Sequence, residues 1–265
     1  MRKRAQRKSR PVIEKPKHKI QKKPEPVEKK ITIKKKGWVA ITLISIFLIV
    51  LFFNSFFNIA SDVAVNQDDE GLNKYYLSGP DPYYNMRLVK VTHETGKYPY
   101  YYEDDPLLDY PLGASGGRPP LLNMASLGFS RLLTPFMDEM DAIGRSMQFI
   151  PALFGALIVF PVYFIGKTLF NKKAGLIAAF FLAIIPVHIG SGHGSAYSLF
   201  DHDSLNLLLF FLTFLFLILS IKEKNTKKSI LYAILGGVPL AGLSMTWVQA
   251  QFIYSVIGVL SLIHI

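Results

Sequence analysis

The residues best suited to chemistry lie in two short acidic clusters. One is SGPDPYYNMR, in which Asp81 follows a Gly-Pro turn, and the other is SLFDHDSLN, which crowds Asp201, His202 and Asp203 together. Asp201 and Asp203 repel each other, and a hard divalent ion such as Mg2+ or Mn2+ relieves that repulsion through oxygen ligation. A plainer reading is open beside it: either aspartate could cap the helix that follows and complement its dipole. Both can hold at once. His202 is a further ligand candidate, but neighbours at a helix start face different directions, so its ring is expected to point away from the pair. His188 and His193 lie in PVHIGSGHGSAYS and read as structural. The run Gly-Ser-Gly-His-Gly lacks the Lys-Ser/Thr that ends a phosphate loop.

What must position these carboxylates is a set of apolar runs. Residues 37–61 (GWVAITLISIFLIVLFFNSFFNIAS) carry no charge, and about 20 apolar helical residues cross a bilayer core. A signal peptide has a shorter apolar region and a small-residue cleavage site, so this run reads as a retained first transmembrane helix. Residues 146–166, 174–200 and 204–221 are charge-free as well, and from Ser229 to Ile265 only His264 can carry charge. The last stretch is too long for one span and is expected to turn near Gly242–Gln251, giving a fifth span and an incomplete sixth. The expected fold class is therefore all-α: a polytopic helical membrane bundle, with residues 146–265 holding spans two to six.

Charge placement orients the bundle. The formal net charge is +11, but residues 1–36 alone hold 16 Lys/Arg against three Glu, and the remainder is slightly acidic. A nucleic-acid-binding domain spread over the chain is excluded, because its basic residues should lie among the folded elements. No specific nucleic-acid partner is expected. The tail 1–36 is Pro-punctuated, charge-dense and free of aromatics, a composition that predicts a disordered segment. It serves as a topology determinant or as a contact for anionic lipid or RNA. Lys167, Lys172 and Lys173, and then Lys222, Lys224, Lys227 and Lys228, fall in turns on the same side as this tail, so all three basic segments are expected in the cytoplasm of a multi-pass cell-membrane protein. Residues 62–145 and a second loop at about 190–203 then face outward. With no cysteine in the chain, disulfides, Cys-based zinc sites and thiol nucleophiles are excluded.

The outward loop 62–145 holds 13 acidic and seven basic residues and nine tyrosines between Tyr75 and Tyr110. A loop this long is functional or disordered, and its aromatics argue for a folded structure lying at the membrane interface. Gly79-Pro80, Gly113, Gly116-Gly117 and Pro119-Pro120 divide it into short, mostly helical pieces.

Three segments together, GPDPYYNMR (79–87), EDDPLLDYPLGASGGRPPL (103–121) and FDHD (200–203), resemble the catalytic subunit of oligosaccharyltransferase, most closely its single-subunit archaeal form. The resemblance runs over 37–265 and implies a GT-C-type membrane fold. It also implies transfer of a polyprenyl (dolichyl) phosphate-linked oligosaccharide to the Asn amide of Asn-x-Ser/Thr in an acceptor polypeptide, within membrane lipid. By the family pattern Asp81 is the catalytic carboxylate and a metal ligand, and Asp201 and Asp203 are the paired ligands of Mn2+ or Mg2+. Two of the family's features, a third acidic residue in a later loop and a Trp-Trp-Asp segment, are not in these residues. An Arg found seven residues before the D-x-D in many relatives is replaced here by Gly194. The chain thus reads as an N-terminal piece, expected to be inactive alone. The rival readings are another polyprenyl-phosphate-sugar-dependent glycosyltransferase, such as an O-mannosyltransferase, and a cation transporter. Against the transporter, no charge lies mid-span.

Overall fold

The computed structural model describes residues 37–59, 65–66, 68–99, 104–115, 118–184 and 196–264. The basic tail 1–36, and His188, His193 and Gly194, lie outside the described residues. The elements run α1 (Trp38–Ile59), α2 (Pro80–Thr95), β1 (Asp104–Asp105), β2 (Ala114–Ser115), α3 (Leu121–Leu133), α4 (Glu139–Leu157), α5 (Val159–Leu169), α6 (Lys172–Ile184), α7 (Asp203–Lys222), α8 (Thr226–Ser244) and α9 (Gln251–His264). Among the described residues, three helical segments are long and apolar enough to cross a membrane: Trp38–Ser55, Glu139–Leu169 and Asp203–Lys222.

The second of these begins earlier than its charge-free run. Glu139 and Asp141 occupy the first turn of α4, where the positive end of the helix dipole favours them. Helix α4 carries Pro151 within it. The chain leaves the helix for one residue at Ile158 before α5 resumes. Pro161, with no N–H, cannot donate to the carbonyl of Leu157, which explains a break at this point.

Helix α1 buries Leu43, Ile46 and Val50, a stripe at three- and four-residue spacing, against Ala156, Val159, Tyr163, Leu176 and Ala179 of α4, α5 and α6. Its other faces leave Ile41, Ile44, Leu48 and Phe52 exposed. So much exposed apolar surface suits lipid as the surrounding solvent. Within lipid, helices associate by close packing, and small residues let backbones approach. A Cβ placed on Gly166 would come within 2.8 Å of the Gly175 Cα, so α5 and α6 cross with only glycine possible at the contact. Helices α7 and α8 are joined where Ser220 and Ser229 exchange hydrogen bonds, each hydroxyl donating to the other's carbonyl at 2.9 and 2.8 Å. Asn225 caps α8, its side chain accepting from the Lys228 N–H at 3.2 Å.

The long loop between α1 and α4 is a folded layer. Its Leu72, Tyr75, Leu77, Met86, Val89 and Leu122 bury with Ile143, Met147 and Ile150 of α4 and with Phe200 and Leu205 at the head of α7. Gly79 (φ 98°) turns the chain into α2, whose first residue is Pro80, a position where the missing N–H costs nothing. Gly96 (φ 71°) ends α2, its N–H donating to the Thr92 carbonyl at 2.9 Å. The expected helical pieces are present, and β1 with β2 adds a two-stranded antiparallel ribbon, Asp104 opposite Ser115. At its base the fully buried Asp105 forms an ion pair with Arg87.

The Lys-rich turns meet at one end of the bundle, where Lys222 Nζ donates to the Thr168 carbonyl at 2.7 Å. At the other end of α1, the Tyr197 N–H donates to the Asn54 carbonyl at 2.9 Å. This second end holds both acidic clusters.

Candidate active site at the helix ends

The two loops that carry the acidic clusters are stitched together by their backbones and by two buried side chains, Gln148 and Asn85. The Ser78 N–H donates to the Ser198 carbonyl at 2.9 Å, and the Ser198 N–H donates to the carbonyl of Gln148 at 2.8 Å. Gln148, fully buried on α4, donates from Nε2 to the Tyr76 carbonyl at 3.0 Å. Its Oε1 accepts from the Tyr197 hydroxyl at 3.0 Å. From α2, the buried Asn85 donates to the Phe200 carbonyl at 3.1 Å, next to Asp201. Buried polar groups without partners are costly, so these bonds fix the second loop against the first.

Asp81 stands at the start of α2 and Asp201 just before α7, and one guanidinium reaches both. Arg118 Nη2 lies 2.6 Å from Asp81 Oδ1, and its Nη1 lies 3.4 Å from Asp201 Oδ1. The side chains of Asp81 and Asp203 are 50% and 42% exposed, while Asp201 is 16% exposed. The guanidinium also lies over the Tyr84 ring at 5.4 Å, and Arg87 approaches the same ring at 5.4 Å. Asp81 and Asp201, 120 positions apart by their numbers, are thus brought to one cation.

His202 departs from expectation. Its Nδ1 lies 2.6 Å from Asp201 Oδ1 and its Nε2 3.8 Å from Asp203 Oδ1, so the ring folds back between the two carboxylates. His202 is the N-cap of α7, and its ring is drawn back by the short contact of Nδ1 with the adjacent Asp201 carboxylate. No side-chain capping bond closes this helix start. Asp201 Oδ1 instead accepts from the adjacent His202 N–H at 2.7 Å, and Asp203 lies in the first turn.

Burial would push the Asp201 carboxyl up, but the hydrogen bond and charge of His202, with Arg118 beyond, hold it below the ordinary carboxylate range. Burial also opposes charge on His202. Its bond to Asp201, with the Asp203 charge behind, nevertheless holds the imidazole above its ordinary value.

In kind, the carboxylates of Asp81, Asp201 and Asp203 fit a hard divalent cation, since all offer oxygen donors. In arrangement, no group of three ligating side chains closes among the described residues, and Arg118 holds the place between Asp81 and Asp201. Neither Arg118, within Gly-Gly-Arg-Pro-Pro, nor Gln148 is among the site residues expected from the sequence. Gln148 did carry a signal, as a polar side chain in a charge-free apolar run.

The fold and the sequence both have known counterparts. A dolichyl-phosphooligosaccharide-protein glycotransferase of Archaeoglobus fulgidus, its glycotransferase 3, is 33% identical over 114 residues, covering 42% of this chain and 12% of the relative. Glycotransferase 1 of the same organism is 28% identical over 191 residues, covering 71% of this chain and 29% of the relative. The chain therefore spans less than a third of the length of these relatives. Among solved structures, the A. fulgidus oligosaccharyltransferase tethered to an acceptor peptide containing an NVT sequon superposes with a TM-score of 0.66 at 23% identity, over 83% of this chain and 25% of that one. The same enzyme in complex with Zn and sulfate superposes at 0.62, with 23% identity, over 78% and 25%. These likenesses establish the fold, a GT-C-type helical membrane architecture. The family model "Oligosaccharyl transferase STT3, N-terminal" matches residues 46–265, from within α1 to the last residue. By that match the chain belongs to the STT3 oligosaccharyltransferase family.

Proposed function

We propose that this chain provides the membrane-embedded part of an enzyme that transfers an oligosaccharide from a dolichyl-phosphate carrier to the Asn amide of an Asn-x-Ser/Thr sequon. The observation that carries the reading is the meeting of Asp81 and Asp201, from two separate loops, at one end of an apolar bundle. An amide nitrogen is a poor nucleophile because its lone pair is delocalised into the carbonyl. Asp81, half exposed at the start of α2, accepts hydrogen bonds from the acceptor amide and weakens that conjugation. Asp201, Asp203 and Asp81 would hold Mn2+ or Mg2+, which supplies charge stabilisation at the departing phosphate oxygen. His202 orients Asp201. The lipid tail of the donor stays among the helices, and the basic segments lie on the cytoplasmic side with the site on the external face. The A. fulgidus enzyme has been solved with an inhibitory peptide and a dolichol-phosphate, which supports this choice of donor and acceptor.

The test is transfer by the full-length protein, in membranes supplied with lipid-linked oligosaccharide, to a peptide bearing Asn-x-Thr. Transfer is expected to the Asn peptide and to be lost when Asn is replaced by Gln. Glycan on the Thr hydroxyl of the Gln peptide would instead support an O-glycosyltransferase and overturn the reading.

A further inference from the structure

We propose that Arg118 is a resident counter-cation, which a divalent ion must displace from Asp81 and Asp201 before it can occupy the site. The inference rests on the metal-site reading of Asp81, Asp201 and Asp203.

Two carboxylates from different loops are held within reach of one guanidinium, at 2.6 and 3.4 Å. The loop-to-loop hydrogen bonds hold the carboxylates near one another, and with no cation between them they repel. A positive side chain offsets that repulsion. A divalent ion held by the same two carboxylates would lie within a few ångströms of that guanidinium, and like charges so close repel strongly in a partly dry site. One must leave.

The surroundings favour the arginine as the group that moves. Its pair with Asp81 is half exposed on the carboxylate side, and such ion pairs are weak. The Tyr84 ring already lies beneath the guanidinium at 5.4 Å, so a face that attracts cations remains in contact as the side chain swings away. Arg87, the other guanidinium at this ring, is tied to the fully buried Asp105 and is the fixed member of the two. Pro119 and Pro120 follow Arg118 at the foot of α3, and proline restricts the residue before it. The backbone therefore stays in place while the side chain exchanges partners.

The experiment uses Mn2+ alone with the full-length protein in detergent, following bound Mn2+ by electron paramagnetic resonance. Arg118→Met should bind Mn2+ more tightly, by up to roughly fivefold, the worth of one half-exposed ion pair removed as competitor. In the unmodified protein, Mn2+ should raise the reactivity of Arg118 towards phenylglyoxal, read by mass spectrometry of the peptide containing it. Equal or weaker Mn2+ binding by Arg118→Met would show that Arg118 supports the site and would overturn the exchange. If that variant does not fold, the phenylglyoxal measurement decides alone: unchanged reactivity refutes the exchange. Failure of both proteins to bind Mn2+ at millimolar concentration would sink the metal-site reading itself, and this inference with it.

Discussion

Replacing Gln148 by Leu should impair the rate of transfer more than the binding of either substrate. The change keeps side-chain bulk and apolar packing in α4, and it removes two hydrogen bonds. The Tyr76 carbonyl loses its donor and the Tyr197 hydroxyl loses its acceptor, both at 3.0 Å in the intact protein. Gln148 is fully buried, so water does not replace them. Each stranded group costs about 1–3 kcal/mol in water-soluble interiors. Hydrogen bonds between membrane helices average ~0.6 kcal/mol and reach ~1.7. Two such losses come to about 1–4 kcal/mol of stability, concentrated where the first loop meets the second. Asp81 and Asp201 depend on that seam for their spacing, so turnover at saturating peptide and donor should fall at least tenfold, with KM changed much less. The assay is transfer to a labelled sequon peptide per folded molecule, with folding scored by thermal shift in detergent. Leu43→Ala, in the cluster of α1 with α5 and α6, is the control: it destabilises the protein without touching the seam. Wild-type turnover in Gln148→Leu, or an equal drop in Leu43→Ala, would refute the argument that this side chain sets the geometry of the site.

Asp203→Ala should lose most of its activity at low Mn2+ and recover in part at high Mn2+, because a weakened ion site refills by mass action. Asp81→Ala should fall about 100- to 1000-fold with no such rescue, the worth of one electrostatic contact in a transition state, while Asp68→Ala and Glu94→Ala stay near wild type. In chelator-containing buffer, His202→Gln should lower the melting temperature most at acid pH. A histidine held above its ordinary value of 6.5 stabilises fully below that value, and the contribution fades as pH rises through the folded-state value. The difference between wild type and variant, followed by thermal shift from pH 6 to pH 9, should therefore shrink. A single cysteine placed at Lys172 should resist an impermeant maleimide added outside intact cells, and one at Glu94 should react. Labelling at 172 would invert the proposed topology.

Much of the architecture was legible because water and lipid demand different side chains. The charge-free runs beginning at Gly37, Ser146 and Ser204 became α1, the α4–α5 pair and α7. The boundary of α4 was harder, since Glu139 and Asp141 interrupt the charge-free pattern while suiting a helix N-terminus. The Gly-Pro turn before Asp81 marked the start of α2. The pairing of Asp81 with Asp201 was legible only as a shared side of the bundle. Their common partner was not, because nothing local distinguishes an arginine that bridges two loops from one in solvent. The His202 ring direction was not legible either, because it is set by contacts with its two flanking carboxylates rather than by helix geometry alone. Ser198, with φ at 72°, likewise bends the chain into the second loop in a way no residue type there announced.

The glycine contact between α5 and α6 bears on the order in which the molecule is built. These helices are joined by only Phe170 and Asn171, and their crossing at Gly166 and Gly175 uses backbone atoms already present in the pair. Contacts so near in sequence form fast and need no distant partner. As the chain enters the bilayer from its N-terminus, this hairpin can close before α7 has been synthesised. The acidic ends of α2 and α7 would then be assembled late, onto a frame already set. A bulky residue at Gly175 would act first on biogenesis: the Cβ alone meets the Tyr163 carbonyl at 2.5 Å and the Lys167 nitrogen at 2.9 Å. Such a variant would reach the membrane with the carboxylates of its two acidic clusters intact in sequence and without the scaffold that brings them together.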